Sequence, residues 1–172
     1  MREAMFYEQM AENQVRCKLC NHQCRIKDGK RGICGVRENR GSRLYSLVHG
    51  KIITEHIDPI EKKPFFHFLP GSKAFSIGTV GCNFRCKHCQ NFDISQYPHA
   101  HGEKIIGENR TSEQIVKRAK ATGCESIAYT YTEPTIFYEF AHDTAVLAHR
   151  EDIKNVFVSN GYMSAEAARQ IA

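Results

Sequence analysis

A chain of 172 residues is long enough for about one domain with a core of ordinary size and a small extension. Lys and Arg number 24 against 19 Asp and Glu, a net charge of +5, and eight cysteines stand in a sequence with no apolar signal segment at its start and no stretch of transmembrane length. These features argue against a membrane-spanning protein and against a secreted, disulfide-stapled one, so the cysteines read as reduced metal ligands in a cytoplasmic setting.

Residues 1–72 read as a small cysteine-rich module. Cys17-x2-Cys20-x3-Cys24 is followed by Cys34 within Gly32-Ile33-Cys34-Gly35, with Gly29, Gly32 and Gly35 supplying tight turns. Four thiolates saturate Zn²⁺ or fully ligate an iron–sulfur cluster; the spacing does not separate the two metals, and buried unliganded thiols are the plain alternative. Lys27, Lys30, Arg31, Arg37, Arg40 and Arg43 read as a solvated basic face, the other reading being a surface for an acidic partner or nucleic acid. Arg43–Val48 and Lys51–Thr54 flank His49-Gly50 and predict a hairpin. Asp58–Gly71 carries prolines and a glycine among aromatics and reads as a folded connector, with Phe65, Phe66 and Phe68 packing the module onto the C-terminal segment.

From residue 73 to 172 the pattern alternates strand and helix. Ala74–Val80 is a first strand running into Gly81-Cys82, and Thr111-x2-Gln114 is a capping-box spacing that starts a helix with Ile115, Val116 and Ala119 on its apolar face, ended by Gly123. Ser126–Tyr131 is a second strand, and Pro134 opens a helix to about Ala148 with Phe137, Phe140, Ala141, Thr144 and Ala145 inward. Asn155–Val158 is a third strand, and Ser164 caps a last helix. Unbroken alternation implies an α/β fold with parallel strands, as a barrel or an open sheet. In a barrel the chemistry gathers at the C-terminal ends of strands, where Gly81-Cys82, Thr132-Glu133-Pro134 and Ser159-Asn160-Gly161 fall.

Cys82, Cys86 and Cys89 follow the first strand in a Cys-x3-Cys-x2-Cys spacing. Three thiolates with no local fourth leave one iron of a [4Fe–4S] cluster open to an outside ligand, and an open metal position means chemistry. The alternative is a three-cysteine zinc site completed by His88 or His99. The run Cys82-Asn83-Phe84-Arg85-Cys86-Lys87-His88-Cys89-Gln90-Asn91 resembles the signature of the radical S-adenosylmethionine (radical SAM) enzymes, within them most the pyruvate formate-lyase activating-enzyme group, Asn91 being part of that likeness. The four-cysteine leader with Asp58-Pro59-Ile60-Glu61-Lys62-Lys63-Pro64 is similar to the AmmeMemoRadiSam-system radical SAM proteins.

The resemblance implies a partial parallel (β/α) barrel of which about three βα units are present, so that further strands would come from a longer protein or another chain. It implies a [4Fe–4S] cluster on Cys82, Cys86 and Cys89 and S-adenosylmethionine on its open iron. His88 takes the place of the aromatic residue whose backbone touches the adenine. Glu133 takes the place of a glutamate that helps hold the amino group, without the glycines of the family's turn, and Asn160 takes a place among the small polar groups of the cofactor pocket. The implied reaction is reductive cleavage of S-adenosylmethionine to a 5′-deoxyadenosyl radical, which abstracts hydrogen from a substrate such as a glycine of a partner enzyme. The electron comes from a donor such as flavodoxin or ferredoxin. The cofactor carries this chemistry, so no side chain is assigned as acid or base. Two other readings stand beside it: a zinc-ribbon module binding nucleic acid or protein, and an iron–sulfur electron carrier that never meets S-adenosylmethionine.

Overall fold

The computed structural model describes residues 1–172, and the first predicted strand lies at its centre. The strands are Arg2–Glu3 (β1), Tyr7–Gln9 (β2), Val15–Cys17 (β3), Arg25–Ile26 (β4), Arg37–Arg40 (β5), Arg43–Ser46 (β6), Lys51–Ile52 (β7), Thr54–Pro59 (β8), Lys73–Gly78 (β9), Glu108–Asn109 (β10), Ser126–Tyr129 (β11) and Lys154–Phe157 (β12). The helices are Phe92–Ser95 (α1), Tyr97–Ala100 (α2), Ser112–Ala121 (α3), Tyr138–Arg150 (α4) and Ala165–Ile171 (α5), with 3-10 turns at Ile60–Lys62 and Pro134–Phe137.

The main sheet has the order β12-β11-β9-β8. β9, β11 and β12 run parallel, with Ala74 opposite Ser126 and Ile127 opposite Asn155, as the strand–helix alternation predicts. Its residues alternate between two covers, as the two-residue period of a strand requires. Phe75, Ile77, Ile127 and Tyr129 pack with Ile115, Ala119, Phe137 and Phe140 of the helical layer. Ala74, Ala128 and Val156 face the other way, against Ile60 and the half-buried Phe65. α3 begins at the predicted capping box, with the Thr111 side chain accepting from Gln114 N and the Gln114 side chain from Thr111 N. Ser164 caps α5 through Ala167 N.

Several expectations are corrected. The hairpin across His49-Gly50 does not form. β6 pairs with β5 and β1, β7 pairs with β10, and β8 pairs antiparallel with β9. At Gly50 (φ +72°) the chain lies so close to Arg110 that a Cβ would stand 2.7 Å from the Arg110 carbonyl, and Gly50 O accepts from Arg110 N. That contact turns β7 toward β10 and away from β6.

The connector is a strand at its start: Asp58 and Pro59 close β8, which adds an antiparallel edge to the parallel sheet. Of the three phenylalanines only Phe65 packs against a core cluster, while Phe66 and Phe68 are exposed. Residues 1–72 and 73–172 share their cores: Cys34, Val36, Val48 and Ile52 join the helical layer, and Tyr138 and Ala167 join the cluster around Phe6, Val15 and Leu44. The helix expected from Pro134 starts as a 3-10 turn, and the second strand stops at Tyr129 because Tyr131 takes a left-handed conformation, φ +67°.

Candidate metal centre

β9 delivers its C-terminal end directly to the three-cysteine loop. Gly81 sits at the root with φ +98°, and a Cβ there would meet Val36 Cγ1 at 2.5 Å and the Cys34 carbonyl at 2.9 Å, so only glycine lets the loop lie against the N-terminal segment. Cys82 and Cys89 are half-buried and Cys86 is exposed. The Cys82 sulfur accepts from Phe84 N at 3.4 Å, and the Cys89 sulfur lies 3.5 Å from Ser95 Oγ on α1. Burial pushes the Cys82 thiol up, and the nearby charges of Glu133, Cys89 and Cys86 push it further, which puts the three thiols and that carboxylate in one neighbourhood.

No three Cys, His, Asp or Glu side chains stand close enough to hold a single metal ion. A [4Fe–4S] cluster asks for something else, since its three cysteines bind three different irons around a cube of sulfide. Three free thiols on one short loop, one of them open to solvent, fit that demand in number and chemistry. His88 is exposed beside them. His99, the other imidazole considered for zinc, is bonded through Nε2 to the Ile33 carbonyl at 3.0 Å.

The ends of β11 and β12 converge on Glu133, which is 3 % exposed. Its Oε1 accepts from Thr135 N (3.0 Å), Thr135 Oγ1 (2.5 Å) and Ser159 Oγ (2.7 Å), and its Oε2 from Asn160 N (2.7 Å). The carboxylate therefore ties the β12 loop to the turn after β11. Asn160 Nδ2 in turn donates to Asn83 Oδ1 at 2.8 Å, carrying the tie into the cysteine loop. Asn91 Nδ2 donates to the Tyr131 carbonyl at 2.8 Å, joining the far end of that loop to β11. The sequence-predicted residues Asn91, Glu133 and Asn160 thus belong to one hydrogen-bonded frame around Cys82–Cys89. Tyr131, at the start of this turn, is held in its left-handed conformation by a 2.7 Å bond from its hydroxyl to Asp58 Oδ2 and by Lys63, whose Nζ lies 4.7 Å from the ring centroid.

A family model described as the radical SAM superfamily matches residues 76–172, more than half of the chain. The chain belongs to the radical SAM superfamily. It is 48% identical to the uncharacterized protein MJ0808 of Methanocaldococcus jannaschii over 99% of its own length and 50% of that protein's. It is 33% identical to the uncharacterized protein MJ0674 of the same organism over 46% of its length and 19% of that protein's. The chain thus spans about half the length, or less, of the curated relatives it matches. No solved structure matches it. In the radical SAM segment no helix is long and apolar enough to cross a membrane, nor is any elsewhere in the chain.

Sequence reasoning missed part of the frame. Asn83 is 2 % exposed, and its carbonyl accepts from His22 Nε2 at 2.9 Å; His22, Phe84 and Tyr162 form an aromatic cluster with centroids 4.9 to 6.0 Å apart. The one available signal was the position of Asn83 beside Cys82.

The N-terminal cysteines do come together: Cys17, Cys20, Cys24 and Cys34 line one enclosed cavity, all as free thiols. Burial pushes the Cys34 thiol up to about 12. Of the expected basic face, Lys27, Lys30, Arg40 and Arg43 are exposed, and Arg37 is the correction. Arg37 is fully buried and makes a bidentate pair with Glu139 (2.7 and 2.9 Å), while Arg31 and Arg40 pair with Glu38 and Arg43 lies 3.8 Å from Glu3.

Proposed function

We propose that this chain carries the cluster-binding loop and the first βα units of a radical SAM barrel enzyme that cleaves S-adenosylmethionine reductively. The observation that carries the reading is the set of three free thiols at the C-terminal end of β9, framed by the ends of the parallel strands β11 and β12. Loaded with a [4Fe–4S] cluster and S-adenosylmethionine, such a site supplies one-electron cleavage of the sulfonium to methionine and a 5′-deoxyadenosyl radical.

The chain's own residues do the placing. Cys82, Cys86 and Cys89 would hold three irons. His88 offers its backbone beside the third cysteine. Glu133 fixes the Ser159–Asn160 turn and presents Oε2, which accepts a single hydrogen bond here and keeps acceptor capacity for an ammonium donor. Asn91 and Asn160 keep the loop registered on β11 and β12. Ala74, Ala128 and Val156 form the sheet face opposite the helical layer, and β12 pairs on one side only, leaving an edge for a further parallel strand.

Within the superfamily we place the chain with the activating-enzyme-like and AmmeMemoRadiSam-type proteins, on the resemblance of Cys82–Asn91, the four-cysteine leader and Asp58–Pro64. The substrate is then a hydrogen-bearing carbon such as a glycine in a partner enzyme, the electron comes from a flavodoxin or ferredoxin, and the reaction runs in a reducing cytoplasm. The test is anaerobic reconstitution with iron and sulfide, reduction, and assay for 5′-deoxyadenosine, in this chain and in the longer protein, with Cys86→Ala as control. Nucleoside that depends on Cys86 supports the reading. A cluster that yields none in either protein supports the electron carrier instead.

A further inference from the structure

The cavity ringed by Cys17, Cys20, Cys24 and Cys34 is separate from the cluster loop and has a chemistry of its own. The four thiols reach it from β3, from the β3–β4 loop and from the turn before β5. The rest of the lining is largely apolar, including Leu19, Ile26 and Ile136.

A buried, unpartnered donor marks it as a ligand site rather than a patch of buried thiols. Arg37 lines it at 2 % exposure; its terminal nitrogens are occupied by Glu139, and its Nε has no hydrogen-bond partner. A buried N–H left unpaired is costly, and a thiolate would accept it.

Size decides the guest. The space left between the side chains has room for roughly one water-sized occupant. A [4Fe–4S] cluster, with its four irons and four sulfides, would have to push the wall outward, whereas a single ion needs the four sulfurs only to close in. A closed set of four soft ligands with no open position selects tetrahedral zinc.

We infer that Cys17, Cys20, Cys24 and Cys34 hold one Zn²⁺ ion in a closed four-thiolate site. The ion draws the sulfurs in from the cavity wall, since as they lie no three are close enough to hold it, and each ligating thiol gives its proton to solvent. The site braces the radical SAM frame from behind. Asn21 N donates to the Tyr162 carbonyl (3.0 Å), Ser164 N to the Leu19 carbonyl (2.9 Å) and His22 Nε2 to the Asn83 carbonyl (2.9 Å). Thr135, in the cavity wall, holds Glu133.

The test counts zinc and iron by mass spectrometry in the full chain, reconstituted with iron and sulfide without oxygen, and in Cys34→Ala and Cys86→Ala. About one zinc per chain is expected in the wild type and in Cys86→Ala, and at least tenfold less in Cys34→Ala; Cys86→Ala is expected to lose iron instead. Because Cys34→Ala can also unfold the chain, Co²⁺ is exchanged into the wild type, where the absorption bands of tetrahedral cobalt thiolate are expected. Wild type without zinc, iron retained by Cys86→Ala, or cobalt without those bands overturns the inference. Failure of the Cys82–Cys89 cluster to assemble leaves the zinc count untouched, so the two readings fail separately.

Discussion

Glu133 accepts from four donors in a site almost closed to water, so replacing one oxygen by an amide sets donor against donor. Glu133→Gln is expected to destabilise the chain by about 1–3 kcal/mol in urea denaturation, with m unchanged. Asp58 makes a second residue-scale case. Burial alone would raise its carboxyl, but hydrogen bonds from Lys62, Lys63 and Tyr131 hold it below the ordinary carboxylate range. Its contribution to stability is therefore present at neutral pH and lost as pH falls below about 4. Asp58→Asn is expected to cost about 3–5 kcal/mol at pH 7, because it strands the buried Lys63, and to flatten the loss below about pH 4, both read from denaturation midpoints. At this scale the sequence made the cysteines legible by spacing alone. It hid Arg37, which reads as a surface base because its partner Glu139 lies 102 residues away, and it hid the partners of Glu133, 26 and 27 residues further along.

Elements whose signals are local were legible, and those decided by distant contacts were not. The capping box of α3 lies within four residues, and Thr111→Ala is expected to cost about 1 kcal/mol in thermal unfolding. The hairpin across His49-Gly50 failed because Arg110, sixty residues on, claims the turn. Gly81 joins the two scales: its φ of +98° and the 2.5 Å approach of Val36 make Gly81→Ala strained and clashing at once. At least about 1–3 kcal/mol is expected from the backbone alone. Because that turn aims the cysteine loop, iron content after reconstitution is expected to fall with stability.

In the whole molecule the cysteine-rich leader and the strand–helix segment are one body, with shared cores and a β8 edge that carries the leader into the main sheet. Alternation of strand and helix revealed the parallel order of β9, β11 and β12, whereas β8 lay hidden in a proline-bearing stretch that reads as a connector. Of the six basic residues grouped between positions 27 and 43, Arg37 is buried on Glu139, Arg31 and Arg40 pair with Glu38, and Lys27 and Lys30 stay exposed. On the proposed function, Cys82, Cys86 and Cys89 hold a cluster whose open iron receives S-adenosylmethionine. The most direct measurement is the electron paramagnetic resonance spectrum of the reduced, reconstituted chain before and after adding S-adenosylmethionine. A cluster signal that shifts on addition, and is absent in Cys86→Ala, is the expected result; a cluster signal that ignores S-adenosylmethionine, or one that survives Cys86→Ala, would contradict it.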